Sequence, residues 1–287
     1  MWALNHPDGQ FADYTEERLL AFLDRHQLTR EPGAQLEYSN LGMGVVGYLL
    51  TRVAKSDYET LVRTRITGPL GMKDTMITLP PSHAARLAAP FDAYMRPVKP
   101  IRMAALEGAG AIRSTVADML IFAKALLDPT SPIAPALKTA LSVRTPGENF
   151  ITVQALGWLV RRLPGRELLM HNGLSYGFSS VLILEPAKGR AVVALVNSAA
   201  EPRSEDLAFN IVGRQPVAPT PAVPPAPPPF VPRKEISLPV AELDKVAGRY
   251  DFGPGFVVAI TRDGGYLYSQ REGVAGARRL LIVPEAP

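Results

Sequence analysis

Two short groups of residues carry side chains suited to handling a proton and an amide. Tyr38-Ser39-Asn40 sets a phenol and a carboxamide two positions apart, at a turn just before a helical pattern. In an extended segment such residues point to the same side, so Tyr38 and Asn40 would reach one pocket, the phenol to pass a proton and the amide to bind polar groups. His171-Asn172-Gly173 forms the second group, at the end of an apolar run that reads as a strand. Glycine there lets a substrate backbone approach closely and leaves N–H donors to stabilise an oxyanion. Gly173-Leu174-Ser175-Tyr176-Gly177 also has the Gly-x-Ser-x-Gly spacing of a nucleophile elbow. That device requires a strand, a sharp turn and a helix, whereas Phe178-Ser-Ser-Val-Leu-Ile-Leu184 reads as a strand. Ser175 is therefore kept only as an alternative nucleophile, and Ser39, between two useful residues, is expected to face away from them.

Other chemistries are narrowed by composition. The absence of cysteine removes disulfides, thiolate nucleophiles and cysteine-based metal sites. His6, His26, His83 and His171 include no pair at helical or strand spacing, so no metal is expected, and no cofactor is called for. Net charge is +4 from 31 basic and 27 acidic residues without a block of one sign, which gives no basis for a nucleic-acid partner. The longest apolar run, Leu41–Leu50, is well short of the ~20 residues of a membrane-spanning helix. Met1-Trp-Ala-Leu-Asn-His-Pro-Asp8 has neither the basic start nor the apolar stretch of a signal peptide, so localisation stays open.

The elements that must position these groups are helices first, then strands. Thr15 with Glu16 and Glu17 opens a helix bearing Leu19, Leu20 and Phe22. A second begins after Asn40, with Val46, Leu49, Leu50 and Val53 on one face. Ser56 and Glu59 form a capping-box pattern for a third, which is expected to stop at Gly68-Pro69. Ser114 is expected to cap a fourth, whose apolar face is Met119, Phe122, Ala123 and Leu126 and which Asp128-Pro129 ends. Strands are predicted at Leu168–Met170, Phe178–Leu184 and Ala191–Val196, the last two joined as an antiparallel hairpin through 185–190. Nine prolines in the seventeen residues Pro216–Pro232 predict a semi-rigid spacer of roughly 50 Å, because proline removes the backbone donor and favours polyproline II. Beyond it, 248–252, 256–261, 266–269 and 280–283 read as a small β meander with turns at Gly253-Pro-Gly255 and Asp263-Gly-Gly265.

Several longer stretches carry a family resemblance. Glu31-Pro-Gly-Ala-Gln-Leu-Glu-Tyr-Ser-Asn-Leu-Gly42, Gly68-Pro-Leu-Gly-Met-Lys-Asp-Thr75, Glu107-Gly-Ala-Gly-Ala-Ile-Arg-Ser-Thr-Val-Ala-Asp118 and His171-Asn-Gly173 followed by Gly177-Phe-Ser-Ser180 occur in that order. Together they resemble the serine β-lactamase-related family of class C β-lactamases, DD-peptidases and family VIII esterases. The resemblance implies an α+β fold, a β-lactamase/penicillin-binding-protein-like antiparallel sheet flanked by helices, with a small-molecule amide or ester as substrate. It implies that Tyr38 assists proton transfer, that Asn40 binds the substrate amide, that His171 stands at the Lys/His position of the third motif, and that the Leu174 N–H is an oxyanion donor. Asn172 replaces the usual Thr or Ser, which departs from the family's carboxylate recognition and so from penicillin-type substrates, and His171 in place of lysine tilts the comparison towards peptidases and esterases. Val246-Ala-Gly-Arg-Tyr250 resembles the opening of the lipocalin-like domain appended to such hydrolases.

The family's Ser-x-x-Lys is missing: no serine in the 287 residues has lysine three positions later. Without that lysine, the ammonium that would favour a phenolate at Tyr38 is absent too. The expected organisation is a hydrolase domain over 1–213, truncated at its start, a proline-rich linker over 214–232 and a truncated β module over 233–287. Missing strands at the sheet edge would leave an unpaired edge and an exposed apolar face. Two alternatives stand beside an incomplete serine hydrolase: an esterase using Ser175, and a non-catalytic binding or assembly protein whose sheet a partner chain completes.

Overall fold

The chain divides into two units, Met1–Pro225 and Ala226–Pro287. A computed structural model describes residues 11–28, 30–34, 36–147, 152–175, 177–200, 202–213, 236–251, 257–272 and 280–282. The proline-rich segment and the Gly253-Pro-Gly255 turn lie outside the described residues.

The first unit begins with α1 (Glu16–Arg25), whose Thr15 hydroxyl accepts the Arg18 N–H and whose Leu19 is fully buried. Helix α2 (Asn40–Ala54) is capped by Ser39, whose Oγ accepts the Gly42 N–H at 2.9 Å. Its inward face approaches the rest of the layer most closely at Gly44 and Gly47. A Cβ on Gly47 would lie 2.8 Å from the Gly108 Cα, and one on Gly44 would lie 2.5 Å from Leu106 Cδ2. These contacts seat α2 on a 3₁₀ turn, Ala104–Ala109, with Leu41, Val45 and Tyr48 packed around the buried Tyr14, Met103 and Leu106. The stripe predicted from hydropathy faces the other way: Val46, Leu49, Leu50 and Val53 are exposed, Val53 by 84%.

Helix α3 (Tyr58–Val62) is capped by Asp57 and not by Ser56, because the Asp57 carboxylate accepts the Thr60 N–H at 2.7 Å. Glu59 takes no part in a capping box; it accepts the N–H groups of Ile77 and Thr78. Nor does the helix stop at Gly68-Pro69. A π turn, Arg63–Thr67, leads into α4 (Gly68–Leu70), and the wider turn accommodates a proline that could not donate within a regular helix. The path ends at Gly71, with φ 73°. A short α5 (Pro81–Ala84) follows. Helix α6 (Val116–Leu127) is capped by Thr115, one residue later than expected, since Ser114 Oγ is engaged with Thr75 Oγ1 at 2.7 Å. The buried Asp118 ties its start to the α4 exit through the Asp74 N–H and the Thr75 hydroxyl.

After α7 (Ala134–Ser142) comes a six-stranded antiparallel sheet in chain order: β1 (Arg144–Pro146), β2 (Thr152–Ala155), β3 (Trp158–Leu163), β4 (Arg166–Leu174), β5 (Ser179–Glu185) and β6 (Arg190–Val196). Helix α8 (Ser204–Gly213) closes the described part of this unit. Ala123 and Leu126 of α6 pack with Leu169, Leu182 and Leu184 on one sheet face, while Ala208 and Val212 of α8 cover Leu168, Met170 and Ile183 on the other. Coverage of both faces explains why β5 is buried almost throughout and does not alternate. Among the described residues, β6 pairs with β5 alone and its outer edge has no strand partner.

The second unit contains α9 (Val240–Val246) and a meander of β7 (Gly248–Asp251), β8 (Val257–Asp263), β9 (Tyr266–Arg271) and β10 (Leu280–Ile282). Gly264-Gly265 forms the β8–β9 turn between paired Asp263 and Tyr266, as predicted. Among the described residues no helix is long and apolar enough to cross a membrane.

One buried charge closes the sheet's far end. Glu185, 1% exposed, meets Lys188 at 2.8 Å, Arg166 at 3.6 Å and Arg190, and both arginines also bond the Val212 carbonyl at the end of α8. The Lys188 hydrogen bond holds the Glu185 carboxyl below its ordinary pKa; burial opposes this and Arg190 reinforces it. A lowered carboxyl pKa stabilises the fold above the unfolded value, and that contribution is lost as pH falls through the folded one. Glu185→Gln should therefore cost about 2 kcal/mol in urea unfolding at neutral pH, less than a fully buried pair because the cations keep contact with water. The difference from wild type should shrink on acidification; a penalty that persists undiminished in acid would mean the carboxylate charge is not its source.

Candidate functional site

The His171-Asn172-Gly173-Leu174 segment lies inside β4, where that strand outruns its neighbour. Pairing with β3 reaches only Met170, opposite Leu159. His171 to Leu174 continue against β5 alone, opposite Leu182, Val181, Ser180 and Ser179. Among the described residues they form a ledge with no strand on its other side. Main-chain direction alternates along an antiparallel ladder. Because the Ser175 N–H donates to the Phe178 carbonyl at 2.9 Å, Gly173 and His171 also turn towards β5, and Leu174 and Asn172 turn outward. An independent contact agrees: the Asn172 carbonyl accepts from His171 Nδ1 at 2.7 Å. A carbonyl can only accept, so Nδ1 carries the proton, and in the neutral ring Nε2 keeps its lone pair. The Leu174 N–H thus opens off the ledge beside a residue that is 54% exposed. A Cβ on Gly173 would lie 2.6 Å from Ser180 Oγ, which would have to rotate away to admit it.

The turn beyond the ledge is fastened from outside the sheet. A Cβ on Gly177 would lie 2.4 Å from Pro90 Cβ and 2.7 Å from Val98 Cγ2. The Phe91 N–H is shared between the Gly177 and Asn197 carbonyls, and Asn197 Nδ2 donates to Ala89 O at 2.7 Å. The loop over 89–98 is shaped by Asp92, which accepts the Tyr94 and Arg96 N–H groups and Arg96 Nε. Burial disfavours the Asp92 charge, but the bonds from Arg96 and Tyr94 outweigh it and hold the carboxyl below its usual pKa. Asn197 was not singled out as a site residue, because its partners, Ala89 and Phe91, lie far away in sequence.

Ser175 occupies this turn and is followed by β5, so the strand–turn–helix of a nucleophile elbow is absent. Its hydroxyl reaches only the Phe178 carbonyl, at 3.5 Å, and among the described residues no histidine, lysine or carboxylate bonds it. Tyr38 and Asn40 sit on the helical layer. Tyr38, in the extended approach to α2, is 60% exposed, and Asn40 is the first residue of the helix. Ser39 between them is engaged as the cap. The fold thus groups His171, Asn172, Gly173, Leu174 and Ser175 on β4 and its turn, and Tyr38 with Asn40 at the head of α2. Among the described residues no group of three or more histidines or carboxylates is placed to hold a metal ion.

An antiparallel sheet covered by helices on both faces is the fold of class C β-lactamases. The fold matches a β-lactamase/D-alanine carboxypeptidase from Pseudomonas syringae, with TM-score 0.62 and 18% identity over 70% of this chain and 66% of that one. It also matches a D-alanine carboxypeptidase from Burkholderia cenocepacia, with TM-score 0.62 and 22% identity over 72% and 68%. The family model described as Beta-lactamase matches residues 1–213, and the chain belongs to this family of β-lactamase- and DD-carboxypeptidase-related serine hydrolases. A human β-lactamase-like protein is 30% identical over 186 residues, 63% of this chain and 37% of the relative. The D-alanyl-D-alanine-carboxypeptidase/endopeptidase AmpH of Escherichia coli K12 is 34% identical over 108 residues, 37% of this chain and 27% of the relative. The chain therefore spans about a third of the length of these curated relatives.

The ledge geometry has a direct spectroscopic signature. In a nitrogen-15 long-range correlation spectrum of the neutral side chain, His171 should show a protonated Nδ1 and an unprotonated Nε2. The opposite pattern would mean that the bond to Asn172 does not form in solution.

Proposed function

We propose that this chain carries the substrate-binding and proton-handling part of an acyl-transfer serine hydrolase acting on small amides or esters, and that it does not complete the reaction alone. The observation that carries this reading is the ledge, where the Leu174 N–H and the His171 ring open on the side β3 does not cover. An outward N–H is suited to an oxyanion. A ring whose Nε2 keeps its lone pair is suited to accept a proton from, or bond to, a substrate group. Tyr38 and Asn40 are proposed as the proton-transfer and amide-binding residues, and Asn172 and Gly173 as substrate-binding ones. Acyl-enzyme chemistry also needs an activated nucleophile. The 287 residues contain no Ser-x-x-Lys, and among the described residues no base bonds Ser175. In the same reading 1–213 is the hydrolase domain, 214–232 a spacer and 233–287 a lipocalin-like module.

Intact-mass analysis after incubation with a fluorophosphonate, and separately with a penicillin, tests this. A folded sample should acquire no stoichiometric adduct. An adduct mapped to Ser175 would replace the reading with that of an esterase using this serine.

A second reading, of a non-catalytic assembly protein completed by a partner chain, is favoured by the outer edge of β6, which has no strand partner among the described residues, and by the exposed stripe on α2. Such surfaces are associated with pairing or docking. Light scattering with thermal melting should then show self-association or weak folding of the isolated chain. A strictly monomeric sample with a cooperative high-temperature melt would remove this reading.

A further inference from the structure

On the flank of the 3₁₀ turn lies a cavity of about 440 Å³, within the range of small-molecule sites. None of its lining residues belongs to the Tyr38–Asn40 or His171–Leu174 groups. Ala111 and Arg113 line it, while Ile112 between them is not among its walls and is 44% exposed. Ile77, Leu79, Leu87, Ile101 and Met103 contribute the apolar part of its wall, and the charged residues on it are Lys99, Arg102, Glu107 and Arg113.

The charges do not balance internally. Arg113 donates to the Ile77 carbonyl at 2.6 Å and to the Ile101 carbonyl at 2.9 Å, so its bonds go to neutral acceptors. Burial, and then the neighbouring Arg102 charge, push its pKa down. Arg102 is exposed and makes no hydrogen bond or ion pair among the described residues. Glu107 is a poor counter-ion. Its carboxylate has no hydrogen-bond partner among the described residues, and burial, followed by the charges of Glu59 and Asp57, raises its pKa. Glu59 itself is committed to the N–H groups of Ile77 and Thr78. Two neighbouring guanidiniums at an apolar cavity favour an incoming anion, and a guanidinium fork fits a carboxylate in two parallel bonds.

We propose that this cavity binds a small monocarboxylate with an apolar body, its carboxylate held by Arg102 in the field of Arg113 and its body against Leu79, Leu87, Ile101 and Met103. The apolar walls select against inorganic phosphate, and a dianion would also face the Glu107 carboxyl. The site is independent of the nucleophile question, because it requires no reaction.

The test uses the full chain and three probes: benzoate, the isosteric neutral benzamide, and inorganic phosphate, followed by methyl NMR and calorimetry. Benzoate should bind saturably, shifting the methyl signals of Ile77, Leu79, Leu87, Ile101 and Met103, with benzamide and phosphate binding at least tenfold more weakly. Arg102→Gln should weaken benzoate by about tenfold or more, the scale of one charge-assisted hydrogen bond. Lys138→Gln, at an exposed position on α7, should leave it unchanged. Among the described residues Arg102 has no hydrogen-bond or ion-pair partner, so its variant should keep the wild-type spectrum. Benzamide binding as tightly as benzoate, phosphate binding as tightly as benzoate, or benzoate affinity indifferent to Arg102→Gln would each overturn the proposal.

Discussion

The close backbone approach between α2 and the Ala104–Ala109 turn is the constraint on which the helical layer depends. Gly47 and Gly108 meet where no β-carbon fits, and Gly44 admits Leu106 beside them. This contact fixes where α2 lies and therefore where its first turn presents Tyr38 and Asn40. The same 3₁₀ turn supplies Ala104 and Glu107 to the cation-lined cavity. A helix seated on glycine has its larger apolar side chains left for the opposite face. That is why Val46, Leu49, Leu50 and Val53 stand in water together.

The sheet is built on another principle. Its central strands are covered on both faces, by α6 on one and α8 on the other, so their positions are set by ordinary side-chain packing. Its edges differ. The outer side of β6 has unsatisfied pairing capacity among the described residues, whereas the far end is held by Glu185 and three cations. The sheet is thus firm at its centre, and its residues suited to chemistry stand where β4 outruns β3.

Much of this was legible in the chain, and the failures have physical causes. Caps and periodicity located α1, α2 and α6, and apolar runs located β4, β5, β6 and the C-terminal meander. Strands β1 to β3 were missed because they are short and interrupted by Arg144, Gln154, Arg161 and Arg162, which leave no continuous apolar signal. The inward face of α2 was misread because its contact residues are glycines, which hydropathy does not mark as buried. The sequence points to Ser56 and Ser114 as caps where Asp57 and Thr115 serve, since adjacent acceptors compete and tertiary partners decide between them. His171, Asn172 and Gly173 were recognisable by type, but their openness was not. It arises because β3 stops pairing at Leu159, and the end of one strand is not written in the sequence of the next.

The bond from His171 Nδ1 to the Asn172 carbonyl ties the imidazole to the main chain of its own strand. A ring held by a separate carboxylate can be tilted by whatever moves that partner; this one has its compass set by the local pleat. Any twist or bend imposed on β4 would therefore swing the Nε2 lone pair with it, converting a mechanical deformation of the sheet into a change in the direction of a basic nitrogen.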